Sequence, residues 1–290
     1  MKKWQTFVLI LIFLAGLSLL LYPPLSNYWN SLRQSRLVSQ YMQDVSRLAD
    51  DQKNELLEDA REYNRELARH PLHFNLSAEE QEQYEQTLDV SGTGVMGYLE
   101  IPKIEVSLPI YHGTEEVVLE FAVGHLAGTS LPVGGENTHA VLTGHTGLPS
   151  SRLLTDLEDL EIGDIFFVQI MEETLTYEVD QIHVVLPENT RDLTIVDGED
   201  LCTLVTCTPY GVNTHRLLVR GHRIATKPET MMRFSADALQ IDPMIVMPFL
   251  AAPILLLLFL LAMLRPRRRS RVKTLAELQA ANRKNSEELE

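Results

Sequence analysis

The chain has 290 residues, with 25 lysines and arginines against 40 aspartates and glutamates, for a formal net charge of −15. An acidic excess of this size repels a polyphosphate backbone, so nucleic acid is excluded as a partner. The two cysteines, Cys202 and Cys207, lie five residues apart on one predicted strand; that puts them on opposite faces roughly 16 Å apart, beyond the roughly 7 Å a disulfide tolerates, so no disulfide holds the fold.

Lys2, Lys3 and Trp4 precede an apolar run from Phe7 to Leu21, which ends at Tyr22-Pro23-Pro24. Extended to Trp4 and Tyr22, the run is just long enough to cross a bilayer. A cleaved signal peptide begins the same way, but no small-x-small cleavage site follows Leu21, so residues 1–26 read as a retained membrane anchor. A second apolar run, Met244 to Leu264, is followed by five arginines between Arg265 and Arg271. Basic flanks stay on the cytoplasmic side. The expectation is therefore a two-pass cell-membrane protein with both termini cytoplasmic, a juxtamembrane linker at 229–243, a transmembrane helix at 244–264 and a basic tail at 265–290. Residues 27–243 then lie outside with 15 basic against 36 acidic residues, a net charge of −21, which suits a solvated exterior.

Between Asn27 and Arg69, apolar residues recur at helical spacing, among them Leu32, Val38, Tyr41, Val45, Leu56 and Leu57. One or two packing helices are expected there. Pro71 ends that pattern. Ser77-Ala78-Glu79-Glu80 is a capping box opening a short helix to about Tyr84. From Val95 the pattern changes to short strands. Val95–Ile104 and Val106–Tyr111 are broken by Pro102 and Pro109, hence edge or bulged strands. A short helix at 115–122, a strand at His139–Thr143 and a helix at 151–160 with Leu153, Leu154 and Leu157 inward follow. Asp164–Met171 and Thr174–Leu186 read as a hairpin, 187–199 as a polar loop, and 201–206 and 215–224 as closing strands. Seven or eight short strands with few helices make a mainly β domain, a barrel or a sandwich, over residues 95–228.

The last two strands carry the chemistry. Pro209, Gly211 and Asn213 turn the chain between them, so Cys207 and Arg216 come within reach of one bound carbonyl. A cysteine attacks only as thiolate and needs a histidine to exchange its proton. His145 is the best candidate, at a strand end between Gly144 and Gly147. The remaining histidines lack ligand-spaced companions, so no metal site and no cofactor are expected. Arg220 is the rival to Arg216.

At Thr203-Leu204-Val205-Thr206-Cys207, Arg216 nine residues on, and Thr143-Gly144-His145 upstream, the chain resembles the sortases, cysteine transpeptidases of Gram-positive cell surfaces. The resemblance implies a sortase-like closed β-barrel and a catalytic set of Cys207, His145 and Arg216. It implies cleavage of an LPxTG-like sorting signal between Thr and Gly through a thioester on Cys207. Helices before the barrel and a membrane segment after it resemble class C, the pilus-assembly kind, which passes the acyl group to a pilin lysine. Its partners would be LPxTG-bearing pilin or surface proteins. That class carries a lid with an Asp-Pro-aromatic motif ahead of the first strand; here His70, Pro71 and Leu72 stand in its place, with Phe74 two positions late. Pro71 and Phe74 are thus either a lid of different chemistry or a cap on the barrel. Attachment of surface proteins to peptidoglycan and a catalytically silent surface binding module are the alternatives.

Overall fold

The computed structural model describes residues 3–70, 72–226, 251 and 253–256. The chain forms two compact units, Met1–Val246 and Met247–Glu290; in the second, the described residues 251 and 253–256 are helical. The expected linker at 229–243, the tail at 265–290, almost all of the second apolar run and Pro71 lie outside the described residues.

Helix α1 spans Lys3–Arg47 and contains Pro23 and Pro24. The expected anchor and the first packing helix are continuous in this one element. Proline removes backbone donors from a helix, but the downstream half is held by docking. Val38, Tyr41 and Val45 are buried, Tyr41 Oη donates to the Met96 carbonyl at 2.7 Å and accepts from Met171 N–H at 2.7 Å. Helix α2 (Asp50–Leu67) buries Leu57, Ala60 and Asn64. The Asn64 amide bonds Leu131 both ways, donating to its carbonyl and accepting from its N–H. Helix α3 (Ala78–Gln86) opens on the expected capping box, with Ser77 Oγ accepting from Glu80 N–H and the Glu80 carboxylate from Ser77 N–H.

Eight strands follow: β1 (Val95–Ile101), β2 (Val106–His112), β3 (Val123–His125), β4 (Thr138–Thr143), β5 (Ile165–Ile170), β6 (Glu173–Val185), β7 (Asp200–Thr208) and β8 (His215–Ile224). They close into a barrel in the order β1-β2-β3-β4-β7-β8-β6-β5. The β2·β3 and β4·β7 pairs are parallel and the rest antiparallel. Alternate residues fill the interior: Leu99, Ile101, Ile110, Leu142, Phe166, Val168, Leu204 and Val219 are all fully buried, each contributing about 1.5–3 kcal/mol of burial free energy.

Closure removes the edges that the two prolines suggested. Pro102 falls instead in a 3₁₀ turn, Pro102–Ile104. Pro109 sits just before Ile110, where pairing with β3 begins, so its missing N–H falls outside that ladder. The bulge lies between Val95 and Gly97. Gly97 is needed there, since a Cβ would sit 2.2 Å from the Gln169 carbonyl oxygen of neighbouring β5. Strand β3 escapes the sequence pattern because three residues are too few to alternate. The helix expected at 151–160 shrinks to a 3₁₀ turn at Thr155–Asp159, because Leu153 adopts φ 41° and the backbone at Ser150 and Arg152 bonds α1; Leu153, Leu154 and Leu157 are nonetheless buried. The helix expected at 115–122 is α4, Glu116–Leu119.

Candidate active site

Register brings together the three residues singled out in the sequence. Strands β4 and β7 run parallel with Thr143 beside Val205. The pairing continues past β4, since Gly144 N–H donates to the Val205 carbonyl at 3.1 Å and buried Thr206 donates its hydroxyl to the Gly144 carbonyl at 2.8 Å. His145 thus leaves β4 alongside Cys207, on chains about 4.8 Å apart. On the other side, Cys207 is directly opposite Arg216 in the antiparallel β7·β8 pair, and opposed residues share a face. The order across the wall is histidine, cysteine, arginine. Gly144 is confined at this junction, with Leu154 atoms 3.0 Å from where its Cβ would be.

Strand alternation decides which thiol is available. Cys202 points into the barrel and is fully buried, whereas Cys207, five residues on, is partly exposed; both are free. Burial pushes the Cys202 thiol far above its ordinary range, and Asp200 nearby adds to the effect. A thiol held protonated in this way is inert.

Cys207, His145 and Arg216 line one cleft of about 380 Å³ on the outer wall. Its floor is apolar, made by Val141, Leu193 and Leu218 with Val205 and Leu126 packed against them, and Val185, Leu186 and Pro187 form one side. Phe74 also lines it, partly exposed, and Leu72 joins the apolar cluster beneath. The segment crosses Gly128 so closely that a Cβ there would lie 2.2 Å from the His73 carbonyl oxygen. Of this segment, Phe74 borders the cleft, while Leu72, like Gly128, borders a larger cavity next to it. That cavity, about 1030 Å³, extends between α2 and the opposite end of the barrel, at Asp200 and Arg223. Seven residues of β7 separate Asp200 from Cys207, roughly 23 Å, so that end of the larger cavity is remote from the thiol, although Leu193 lines both.

The two arginines are now distinguishable. Arg220 is held by Asp180 through two bonds of 3.0 and 2.9 Å. The Arg216 guanidinium donates to main-chain carbonyls, those of His215 at 3.1 Å and Asn213 at 3.3 Å, which aim it without neutralising its charge. Sequence reasoning missed one further residue, Glu116. Its Oε1 lies 3.2 Å from His145 Nε2. Nothing in the spacing ties a glutamate 29 residues upstream to the histidine; only the fold of β3 beside β4 brings α4 there.

Two other histidines, His125 and His139, are buried in structural roles. His125 is fully buried, with Nδ1 2.9 Å from Tyr84 Oη and Nε2 2.8 Å from the Ser130 carbonyl. Burial depresses its pKa to about 3. His139, likewise depressed by burial, joins the Thr194 carbonyl to the Thr203 hydroxyl. Among the described residues no group of three or more His, Cys, Asp or Glu could hold a metal.

Residues 99–224 match the Sortase domain family. Over 131 residues the chain is 33% identical to Sortase D of Bacillus subtilis (strain 168), a match covering 44% of this chain and 63% of that protein. The chain thus spans less than two thirds of the length of this curated relative. Among solved structures, it is similar to sortase C1 of Streptococcus agalactiae, at 49% identity and a TM-score of 0.65, over 66% of this chain and all of that one. It is also similar to Clostridium perfringens sortase C with the C-terminal cell wall sorting motif, at 42% identity and a TM-score of 0.59, over 66% of this chain and all of that one.

Proposed function

The chain belongs to the sortase family, and on that premise we propose that it is a class C cysteine transpeptidase acting on an LPxTG-like sorting signal. One observation carries the reading: β4, β7 and β8 set His145, Cys207 and Arg216 in register around one apolar-floored cleft. In this mechanism the Cys207 thiolate attacks the threonine carbonyl of the signal. The oxyanion is stabilised by the Arg216 guanidinium, a planar fork of N–H donors. His145 donates a proton to the glycine amine as the C–N bond breaks, leaving a thioester on Cys207. An acceptor amine then attacks, His145 removes its proton, and the new amide frees the thiolate. Val141, Val205 and Leu218 suit the apolar residues of the signal.

The acceptor we propose is a lysine of a pilin subunit, and the neighbouring class C structures support it. Helix α1, the one described helix apolar and long enough to cross a bilayer, would be the anchor, with the second apolar run as a return span and both basic flanks cytoplasmic. The organisation is then anchor, N-terminal helices to residue 94, catalytic barrel, linker, second span and tail. Incubation with a sorting-signal peptide and purified pilin, read by mass spectrometry, tests the proposal. An isopeptide-linked product is expected; hydrolysis or transfer to glycine nucleophiles alone would count against pilin polymerisation.

A further inference from the structure

Helix α1 changes character after Tyr22. Before it, Phe7, Leu9, Leu11, Ile12, Leu14, Leu19 and Leu20 are exposed around the helix. From Tyr22 to Leu32 the large exposed apolar residues narrow to Tyr22, Leu25, Trp29 and Leu32, with Tyr28 beside them. The spacing of three, four and three is one helical stripe. Trp29 is 71% exposed, a large apolar surface to leave in water.

The opposite side of the same turns grips the barrel. Asn27 Oδ1 accepts from Arg152 N–H at 2.9 Å and Asn30 Nδ2 donates to the Ser150 carbonyl at 2.8 Å. Buried Gln34 donates to the Phe121 carbonyl at 2.9 Å, and the Arg33 guanidinium lies 4.0 Å above the Phe121 ring. Residues 150–152 belong to the loop that leaves His145 and is tied back to it, with Leu154 N–H donating to the His145 carbonyl. Phe121 lies two residues past α4, which carries Glu116.

Two further observations point to what covers the stripe. At 1.5 Å per residue, the 25 residues from Trp4 to Trp29 span about 37 Å, a distance that puts the two indoles in opposite interfacial layers of one bilayer. In a chain of net charge −15, the stretch from Tyr22 to Gln43 contains no carboxylate and two arginines, Arg33 and Arg36, which suits anionic headgroups. We propose that the stripe Tyr22–Leu32 lies in the outer interfacial layer of the membrane. Asn27, Asn30 and Gln34 then hold the barrel against that surface, with the His145 loop at headgroup height. The inference rests on reading α1 as the anchor.

Trp4 and Trp29 are the only tryptophans, so Trp4→Phe leaves Trp29 as the sole indole in the full chain. In phosphatidylglycerol-containing vesicles, lipids brominated near the headgroup are expected to quench Trp29 several-fold more than lipids brominated near the chain ends. Acrylamide is expected to quench it less than free indole. Free quenching by acrylamide with no response to brominated lipid would overturn the proposal, placing the stripe in water. Shielding from both quenchers would overturn it too, since the cover would then be protein, either residues 244–264 or a second copy. Stronger quenching from the chain ends would also contradict it. The same measurement on Trp4→Phe with Cys207→Ala does not depend on catalysis, so a failed transpeptidase reading shows only in cleavage assays.

Discussion

At the scale of single residues, alternation along β7 separates two thiols of the same chain. Cys207 is partly exposed in the cleft and Cys202 is sealed in the core. Iodoacetamide is expected to add once to the native protein, at Cys207, and twice only after unfolding; a native adduct on Cys202 would refute the assigned inward face. Glu116 makes a smaller contribution. A carboxylate against Nε2 fixes that nitrogen as the N–H donor and leaves Nδ1 for proton exchange, but Glu116 is largely exposed. Exposed pairs of this kind contribute about 0.2–1 kcal/mol, so Glu116→Ala should lower kcat about two- to fivefold with KM little changed. A loss confined to KM would assign Glu116 to substrate binding.

His125 sets a pH dependence whose sign can be worked out. Its folded pKa, near 3, lies below the unfolded value of 6.5. Above the unfolded value both states are neutral and stability is level. As pH falls from there towards 3, only the unfolded chain takes up the proton, so stability drops by at most about 1.4 kcal/mol per pH unit from this residue. Urea midpoints measured from pH 7 to pH 5 should fall, and His125→Gln should flatten that slope. An unchanged slope would mean that other groups dominate.

At the scale of elements, one buried hydroxyl of α1 joins it to two separate parts of the barrel. Tyr41 Oη bridges β1 at Met96 and the β5–β6 turn at Met171. Tyr41→Phe leaves both main-chain groups without that partner, at about 1–3 kcal/mol, which calorimetry should register as a Tm several degrees lower. An unaltered Tm would show that the contact adds nothing. Docking of this kind was only partly legible in the sequence. The apolar spacing of Val38, Tyr41 and Val45 announced a packing face, but Pro23-Pro24 suggested a break that tertiary contacts override. The 3₁₀ turn at Thr155–Asp159 is the reverse case: its inward leucines were readable, and the helix implied by them was not formed, because the preceding backbone bonds α1.

At the scale of the whole molecule, closure of the barrel turns distant sequence positions into neighbours. The mainly β class, the hairpin of β5 and β6 and the strand pair around Cys207 follow from local patterning. The parallel crossings β2·β3 and β4·β7 do not, because local patterning carries no information on which non-adjacent strands pair. That is why Cys207 and Arg216, on sequential strands, were readable as neighbours, while His145 needed the motif and Glu116 needed the fold. Phe74 was readable as a residue near the site only through the family's lid; its place along the cleft comes from the fold.

The account stands on Cys207, His145 and Arg216 acting as one unit, and trapping the acyl-enzyme tests this most directly. Intact-mass analysis during turnover of a sorting-signal peptide should show a thioester adduct that maps to Cys207 and is released by hydroxylamine. It should be absent in Cys207→Ala, and its rate of formation should fall about 10²–10⁴-fold in His145→Ala and roughly a hundredfold or more in Arg216→Ala. An adduct on another residue, or one that forms at an undiminished rate without Arg216 or His145, would contradict it.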